Sequence, residues 1–265
     1  MRTFATGGLY RPPVPLPRIE ATRYVTPLRE GGSLPALVEA SDDGLYVLKF
    51  TGAGQGPKAL VAEVVAGELA RALGLCVPDL ALVELDPALA QAEPDPEIQD
   101  LLRMSAGLNL GVDFLPGALP FGPAAGPPPA PELAADVVWF DALVTNVDRT
   151  AKNTNMLLWH DRLWLIDHGA ALYFHHAADR DEAHARQPFA AVAEHVLLPF
   201  ASSIAGADER LAPRVTDELL TEVAAAVPDE WLGGGDREVY VDYLRARLAE
   251  PRAFVAEAER ARERR

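Results

Sequence analysis

Residues 146–167 read Asn-Val-Asp-Arg-Thr-Ala-Lys-Asn-Thr-Asn-Met-Leu-Leu-Trp-His-Asp-Arg-Leu-Trp-Leu-Ile-Asp, and this stretch decides the fold. Asp148 stands in a polar loop, five residues before Asn153, and two apolar runs follow that loop. The dipeptide His160-Asp161 joins the two runs, which predicts a short β-hairpin with a two-residue turn. The hairpin ends on a second aspartate, so we expect one loop carboxylate, one amide and one strand-end carboxylate to lie close together.

This set of side chains is the one that phosphoryl transfer needs. Asp148 would orient an attacking hydroxyl, while Asn153 and the strand-end Asp167 would hold Mg²⁺ against the phosphates of ATP. The cations Arg149 and Lys152 would keep the loop carboxylate ionised and would stabilise the charge of the transferred phosphate. A carboxylate at the end of an apolar strand is costly to bury unless it is paired or binds a metal. The residues therefore predict an ATP-dependent kinase.

Upstream of the loop, Lys49 closes the third of three predicted strands, and a helix follows it. In that position a lysine can bind phosphate, and it then needs a carboxylate partner from the helix. Two candidates compete on a helical wheel. Glu68 lies on the stripe of large apolar residues, whereas Glu63 lies on a face of small residues that would let the helix approach a sheet closely. Periodicity alone favours Glu68.

The segment Gly31-Gly32-Ser33 separates the first two predicted strands. Glycine lets the backbone approach a ligand closely, so this turn could direct N–H groups, together with the Ser33 hydroxyl, at phosphate oxygens. A serine in such a loop is also well placed for autophosphorylation, which would add negative charge where phosphate must bind and should inhibit the protein.

The order of elements predicts an α+β protein with a bilobal, protein-kinase-like architecture. An antiparallel meander over 22–50 and a helix over 57–73 form a small β-rich lobe, and helical patterns over 188–198, 212–226, 237–248 and 251–265 dominate the second lobe. Residues 116–131 hold seven prolines and three glycines, which suits neither helix nor sheet. The expected divisions are an N-terminal arm over 1–20, an N-lobe over 21–115, a linker over 116–131 and a helical C-lobe over 132–265.

Composition narrows the class of protein. The chain has 265 residues, a formal net charge of −15 and one cysteine. This acidic balance argues against a direct nucleic-acid partner or an anionic membrane surface, because phosphates are bound mainly by clustered Lys and Arg. No run of residues approaches the length of a membrane span, and the N-terminus lacks a signal-like apolar stretch. A cytoplasmic protein is expected.

With these residues in place, the chain resembles the HipA-like kinases. The loop over 148–153, Asp-Arg-Thr-Ala-Lys-Asn, is similar to the Asp-x-His-x-Lys-Asn loop of that family and to the Asp-Arg-His-x-x-Asn loop of the phosphoinositide 3- and 4-kinases. Asp167-His168-Gly169 stands where those families keep a metal-binding aspartate, often within Asp-Phe-Gly. The segment over 63–75 resembles the HipA-type helix whose leading Glu pairs with the strand lysine.

The resemblance implies a role for each matching residue. Asp148 would be the catalytic base, Asn153 and Asp167 the Mg²⁺ ligands, and Lys49 the phosphate-binding lysine held by Glu63, so that the resemblance favours Glu63 over the alternative carboxylate.

A connector over 114–117, beginning with Phe114 and Leu115, would contact the adenine of ATP. Two departures stand out, since Thr150 replaces the expected histidine of the loop and His168 replaces the phenylalanine. The extra N-terminal subdomain of full-length HipA toxins is not expected here, and the chain is expected to be a stand-alone kinase core.

Three functions remain open at this stage. The first is transfer of the γ-phosphate of ATP to a hydroxyl acceptor such as Ser or Thr of a protein. The second is a catalytically quenched, nucleotide-binding pseudokinase or regulatory module. The third is adenylyl transfer from ATP bound in the reverse orientation. The sequence does not identify the acceptor.

Overall fold

The structure is a computed structural model that describes residues 15–28, 34–54, 56–123, 128–176 and 182–265. The predicted phosphate turn Gly31-Gly32-Ser33 lies outside the described residues. The chain is a mixed α+β protein whose strands come mainly from its first half and whose helices come mainly from its second half.

Five strands close into a barrel. In chain order they are β1 (Arg18–Pro27), β2 (Ala36–Ala40), β3 (Leu45–Lys49), β4 (Leu80–Leu85) and β5 (Gly107–Asp113), and the order around the barrel is β1-β2-β3-β5-β4. The antiparallel meander predicted from the sequence is present as β1, β2 and β3. The lobe is not purely antiparallel, however, because β1 pairs in parallel with β4 and so completes the closure. This last pairing has no local sequence signal, since it joins segments about sixty residues apart.

Alternation along the strands fills the barrel interior. Val38 of β2 and Leu48 of β3 are fully buried and point inward with Tyr46, while the intervening residues are partly exposed. Gly111 of β5 faces this interior, where an added Cβ would lie 2.6 Å from the side chain of Val83. A glycine is therefore needed there for the strands to pack, since real Cβ contacts are never that close.

The helix α1 (Pro57–Ala72) follows β3 and is buried on almost every side. Pro57 occupies its first turn, where the missing N–H is no loss, and Gly74, at a φ of 86°, ends it. Gly67 brings the helix close to the barrel, because a Cβ added there would lie 3.2 Å from Leu80. The helix packs on the barrel, on α6 (Asp217–Ala225) and on the 3-10 helix Asp229–Trp231.

The Pro/Gly-rich segment is not free of sheet structure, contrary to expectation. Leu119 and Pro120 form a short strand, β6, that pairs with the first strand of the hairpin, β7 (Met156–Trp159), which in turn pairs with β8 (Arg162–Leu165). Proline is tolerated because β6 is an edge strand. The turn residues His160 and Asp161 both have positive φ, as a two-residue hairpin turn requires.

The helical half contains α3 (Pro131–Leu143), α4 (Glu182–Ala185), α5 (Ile204–Leu211), α6 (Asp217–Ala225), α7 (Glu238–Leu248) and α8 (Ala253–Glu263), and α2 (Pro96–Met104) lies earlier, between β4 and β5. One apolar cluster joins α1 to these C-terminal helices, and a second fills the barrel. None of the helices in the described part of the chain is long and apolar enough to cross a membrane.

Two predicted helices are wrong in extent. Residues 188–198 form only the 3-10 helix Ala190–Glu194 and a turn. The helix does not continue because the backbone after Glu194 bonds to the loop over 146–155: Val196 N–H donates to the Arg149 carbonyl at 3.1 Å. Residues 212–226 begin with a 3-10 turn, and α6 starts only at Asp217, where the Thr216 hydroxyl accepts the Leu219 N–H and caps the helix.

Candidate active site

Lys49 stands at the centre of a buried ion cluster. Its ammonium group donates to Glu63 Oε1 in a short contact and to Asp167 Oδ1 at 2.7 Å. Burial by itself would lower the pKa of Lys49, but the attraction of the two carboxylates outweighs burial and raises it, so the amine stays charged. The attraction of Lys49 in turn lowers the pKa of Asp167 to about 2.

The helix carboxylate that reaches Lys49 is Glu63, on the small-residue face, and not Glu68. The latter is also buried, but it lies against Arg71, whose Nε is 3.3 Å from Glu68 Oε1. Glu63 Oε1 accepts a further hydrogen bond, from the Gly169 N–H at 2.8 Å. One carboxylate thus joins the barrel, α1 and the segment that follows Asp167.

That segment has a second attachment to the same helix. The ammonium group of Lys58, in the first turn of α1, donates to the carbonyl of His175 at 2.6 Å. Gly169 also keeps the approach close, since a Cβ added there would lie 3.3 Å from Glu63 Oε1. The segment over 167–175 is therefore fixed to α1 at both ends.

The loop carboxylate Asp148 is held by two amides. Asn153 Nδ2 donates to Asp148 Oδ2 at 2.8 Å, and Asn155 Nδ2 donates to the same oxygen at 3.3 Å. Asn155 Nδ2 also donates to the main-chain carbonyl of Asp148 at 3.3 Å. The two amides thus contact Oδ2 of the Asp148 carboxylate rather than Oδ1. Lys152 is exposed at the adjacent bend.

Thr150 occupies the position where a histidine is expected, and it shapes the turn. Its hydroxyl accepts the Asn153 N–H at 3.3 Å, and its own N–H donates to the Asn153 carbonyl at 2.9 Å. Thr150 thus orders the backbone that presents Asn153.

Two of these residues have left-handed backbone conformations. Asn155 has a φ of 47° and Asp167 a φ of 56°. Positive φ is uncommon outside glycine and costs of the order of 1 kcal/mol or more per residue, so it persists only where the surroundings impose it. The side chain of Asp167 is held by Lys49 in this conformation.

Arg149 does not stabilise phosphate charge as the sequence interpretation held. It is only 1% exposed, and its Nε donates to Asp141 Oδ2 of α3 at 2.5 Å. Its Nη1 donates to the carbonyl of Asn155, which also accepts the Ile166 N–H at 3.0 Å. Asp141 was not predicted as part of the site, and its only sequence signal is an acidic residue within an apolar helix.

A small cavity adjoins the cluster. Glu63, Asp167 and His168 form its polar side, and its apolar lining is Gly67, Val77, Pro78, Leu80, Val112, Leu165 and Ile166.

Phe114 and Leu115 follow β5 at the edge of the barrel, where Phe114 N–H donates to the Leu45 carbonyl at 2.9 Å. The described residues contain no group of three or more His, Cys, Asp or Glu side chains that could hold a metal by themselves.

We expect His168 to make stability depend on pH. Burial, together with the nearby cations Arg149 and Lys49, lowers the pKa of His168 to about 3. An unfolded histidine titrates near 6.5, so between about pH 3 and 6.5 the unfolded chain binds a proton that the folded chain does not. The free energy of unfolding should therefore decrease as the pH is lowered through this window, and His168 alone should lower it by about 2 kcal/mol between pH 7 and pH 5.

The test is His168→Phe in metal-free buffer. The ring packs edge-on against Phe140, with centroids 6.1 Å apart, so phenylalanine can occupy the same place. Urea unfolding at pH 7 and pH 5 should show a difference in free energy of unfolding about 2 kcal/mol smaller in the variant. An unchanged difference would mean that His168 is not neutral in the folded chain.

Comparison with known proteins identifies one family. A family model described as HipA-like kinase matches residues 22–250. The chain is also similar to the crystal structure of a Helicobacter pylori proinflammatory kinase, CtkA, with 15% sequence identity, a TM-score of 0.53, and coverage of 92% of this chain and 98% of that chain. At this identity the likeness concerns the fold alone. No curated protein matches the chain.

Proposed function

The chain belongs to the HipA-like kinase family, and from that premise we propose that it moves the γ-phosphate of ATP, with Mg²⁺, to a hydroxyl acceptor such as Ser or Thr of a protein. The observation that carries the proposal is the convergence of Lys49, Glu63 and Asp167 in one ion cluster. Two carboxylates against one cation leave a negative charge that a bound Mg²⁺ would balance, and a phosphate would bind both that ion and Lys49.

Asp148 serves as the base in this proposal. Its Oδ2 is held by the amides of Asn153 and Asn155, so its Oδ1 accepts the proton of the acceptor hydroxyl. The hydroxyl oxygen then forms a bond to the γ-phosphorus while the bond from that phosphorus to the bridging oxygen breaks, and ADP leaves with the bridging electrons. Lys152, exposed beside the loop, offers its charge to the transferred group.

Asp167 and Asn153 are the residues that would hold Mg²⁺. Their donors are a carboxylate and an amide oxygen, which suit this hard ion when phosphate oxygens and water complete the coordination. The side chain of Asp167 is 49% exposed despite its ion pair, so it can be reached from the cleft. Neutralisation of the phosphate charge is what the ion supplies when it is bound.

The nucleotide is bound at both ends in this proposal. Lys49 binds its phosphates, and the turn Gly31-Gly32-Ser33 remains the predicted phosphate loop. Near the predicted adenine site, two carbonyls of the connector over 114–117 already accept hydrogen bonds. Pro116 O accepts the Trp159 indole N–H at 3.0 Å, and Leu115 O accepts the Ala118 N–H at 3.2 Å. We therefore assign the adenine contacts to the Phe114 carbonyl and the Leu115 N–H.

The two-lobe organisation belongs to the same proposal. The predicted N-lobe over 21–115 takes in α1 and the closed barrel, except that β1 begins at Arg18, so residues 18–20 of the predicted arm over 1–20 belong to the barrel. The linker is placed over 116–131, and the helical C-lobe over 132–265. The separate apolar cluster inside the barrel supports this division. We place the contact between the two lobes at the apolar cluster that joins α1 to the C-terminal helices.

The deciding experiment compares ATP labelled at the γ- and at the α-phosphate, each incubated with the protein and Mg²⁺. We expect label from the γ-position on protein or as released phosphate, with ADP as the other product. Label from the α-position would indicate adenylyl transfer, and ATP binding without either product would indicate a pseudokinase. Intact mass would show whether phosphate is gained, and peptide mass mapping would show whether it lies on Ser33.

A further inference from the structure

The carboxylate of Asp141 is the centre of a buried hydrogen-bond network. Asp141 lies in α3 and is fully buried. Its Oδ2 accepts from Arg149 Nε at 2.5 Å and from His195 Nε2 at 2.9 Å, and its Oδ1 accepts from Asn146 Nδ2 at 3.0 Å. Burial by itself would raise the pKa of Asp141, but Arg149 and His195 outweigh burial and hold it below its usual range, so the group is ionised.

The protonation of His195 follows from its two contacts. Its Nδ1 accepts the Leu197 N–H at 3.0 Å, so that nitrogen carries no proton. The proton therefore lies on Nε2 and is donated to Asp141 by a neutral imidazole. A single cation, Arg149, then balances the single buried carboxylate, as a buried ion pair requires.

Each partner of Asp141 continues to a group of the candidate site. Asn146 Oδ1 accepts the N–H of Asp148 at 3.1 Å. Arg149 Nη1 contacts the carbonyl of Asn155 and lies 3.5 Å from the carbonyl of Ile166, the residue before Asp167. The Asn146 contact is therefore made to the backbone of Asp148 itself, and the Arg149 contact to the backbone of the residue next to Asp167.

His195 completes the support from a distant part of the chain. Its backbone forms a β-bridge with Thr150, and the next residue, Val196, donates to the carbonyl of Arg149. The loop over 146–155 is thus held by α3 on one side and by the turn over 195–197 on the other. None of Asp141, Arg149 or His195 is more than 4% exposed, so none of them can touch substrate.

We propose that Asp141, through Arg149 and His195, is a positioning residue that sets the distance between the base Asp148 and the metal-binding Asp167. The inference rests on the proposed function of the site. Loss of the carboxylate charge should let the loop shift relative to Asp167 while the barrel, α1 and the phosphate-binding Lys49 stay in place. A displacement of about 1 Å is enough to slow a reaction about 10²-fold.

The test is Asp141→Asn, which keeps the shape of the side chain and removes its charge. We expect kcat for transfer of the γ-phosphate of ATP to fall by about 10- to 100-fold, and KM for ATP with Mg²⁺ to rise in proportion to the Mg²⁺-dependent affinity that the variant loses. The matched control is Asp136→Asn, one turn earlier in α3, where the carboxylate pairs with Arg210 at 2.6 Å near the surface. The control should keep the kcat of the wild type.

A double variant separates positioning from stability. Asp141→Leu with Arg149→Met removes both charges in similar volume, and such replacements often restore or improve stability. The Asn146 amide and the His195 Nε2–H lose their acceptor in this variant, so we expect a Tm between those of Asp141→Asn and the wild type, together with a kcat as low as that of Asp141→Asn. Recovery of kcat along with Tm would overturn the inference, because it would show that the network serves stability alone.

Calorimetric ATP binding gives a readout that does not need turnover. Wild type should bind ATP more tightly with Mg²⁺ than with EDTA, and Asp141→Asn should lose most of that gain while its affinity in EDTA is unchanged. A variant that keeps the full gain overturns the positioning role. A wild type that binds ATP without turnover overturns the proposed reaction but leaves this comparison valid, and a wild type that binds no ATP overturns both.

Discussion

Replacing Asp167 or Asp148 by asparagine is expected to reduce transfer of the γ-phosphate by about 10³-fold or more while the protein stays folded. Asp167→Asn removes the carboxylate that would hold Mg²⁺, and loss of one such electrostatic interaction costs about 4 kcal/mol of transition-state stabilisation. Asp148→Asn removes the base, whose contribution is typically about 10² to 10⁴ in rate. Turnover is measured with γ-labelled ATP and Mg²⁺.

The two variants should differ in nucleotide binding. Asp148 does not contact the nucleotide in our proposal, so Asp148→Asn should bind Mg²⁺ and ATP as the wild type does, whereas Asp167→Asn should lose the effect of Mg²⁺ on ATP affinity. Asp161→Asn, in the exposed hairpin turn six residues earlier, is the matched control and should keep full activity. Full turnover by either site variant would contradict the assignment of the catalytic residues.

Replacing Arg247 by methionine is expected to destabilise the fold by about 4 kcal/mol. The guanidinium is 3% exposed and donates to four main-chain carbonyls, those of Ala142, Leu143, Ala185 and Gln187. Each buried carbonyl left without a donor costs about 1–3 kcal/mol. Two of these carbonyls lie at the end of α3, where a cation also stabilises the helix dipole.

Thermal unfolding measures this effect. For a chain of this size 4 kcal/mol corresponds to a fall in Tm of about 10 °C. Arg247→Lys keeps the charge but not the fork of donors, so it should lose most of the same stability. Arg245→Met, two residues earlier on the exposed side of α7, is the control, because Arg245 forms exposed ion pairs with Asp217, Glu238 and Asp242. An equal loss for Arg245→Met would contradict the role of buried carbonyls.

Local patterns in the sequence predicted the barrel meander, α1 and the hairpin. Each of these depends on neighbouring residues: the Asp-Gly turn before β3, Pro57 and Gly74 at the ends of α1, and the dipeptide His160-Asp161 with positive φ at both positions. The contact between Asp148 and Asn153 likewise lies within one local loop, whereas the proximity of both residues to Asp167 stays a prediction.

The remaining features depend on contacts between segments distant in sequence. The choice of Glu63 over Glu68 is made by the packing of a helix buried on all sides, for which the apolar stripe carries no information. The Asp141–His195 contact joins residues 54 positions apart, and it is the reason that residues 195–198 do not continue a helix. Arg149 was predicted to stabilise the charge of the transferred phosphate because the sequence gives the charge of a residue but not its burial.

The burial of α1 limits how this kinase can be switched. Five large apolar residues of α1 are at most 2% exposed: Leu60, Val61, Val64, Val65 and Leu69. An outward swing of the helix, which would break the Lys49–Glu63 pair, would expose them at a cost of about 10 kcal/mol, so the swung-out form would be populated at only about one part in 10⁷. That cost is comparable with the whole stability of a domain. A signal that moved α1 would have to supply a free energy of that order.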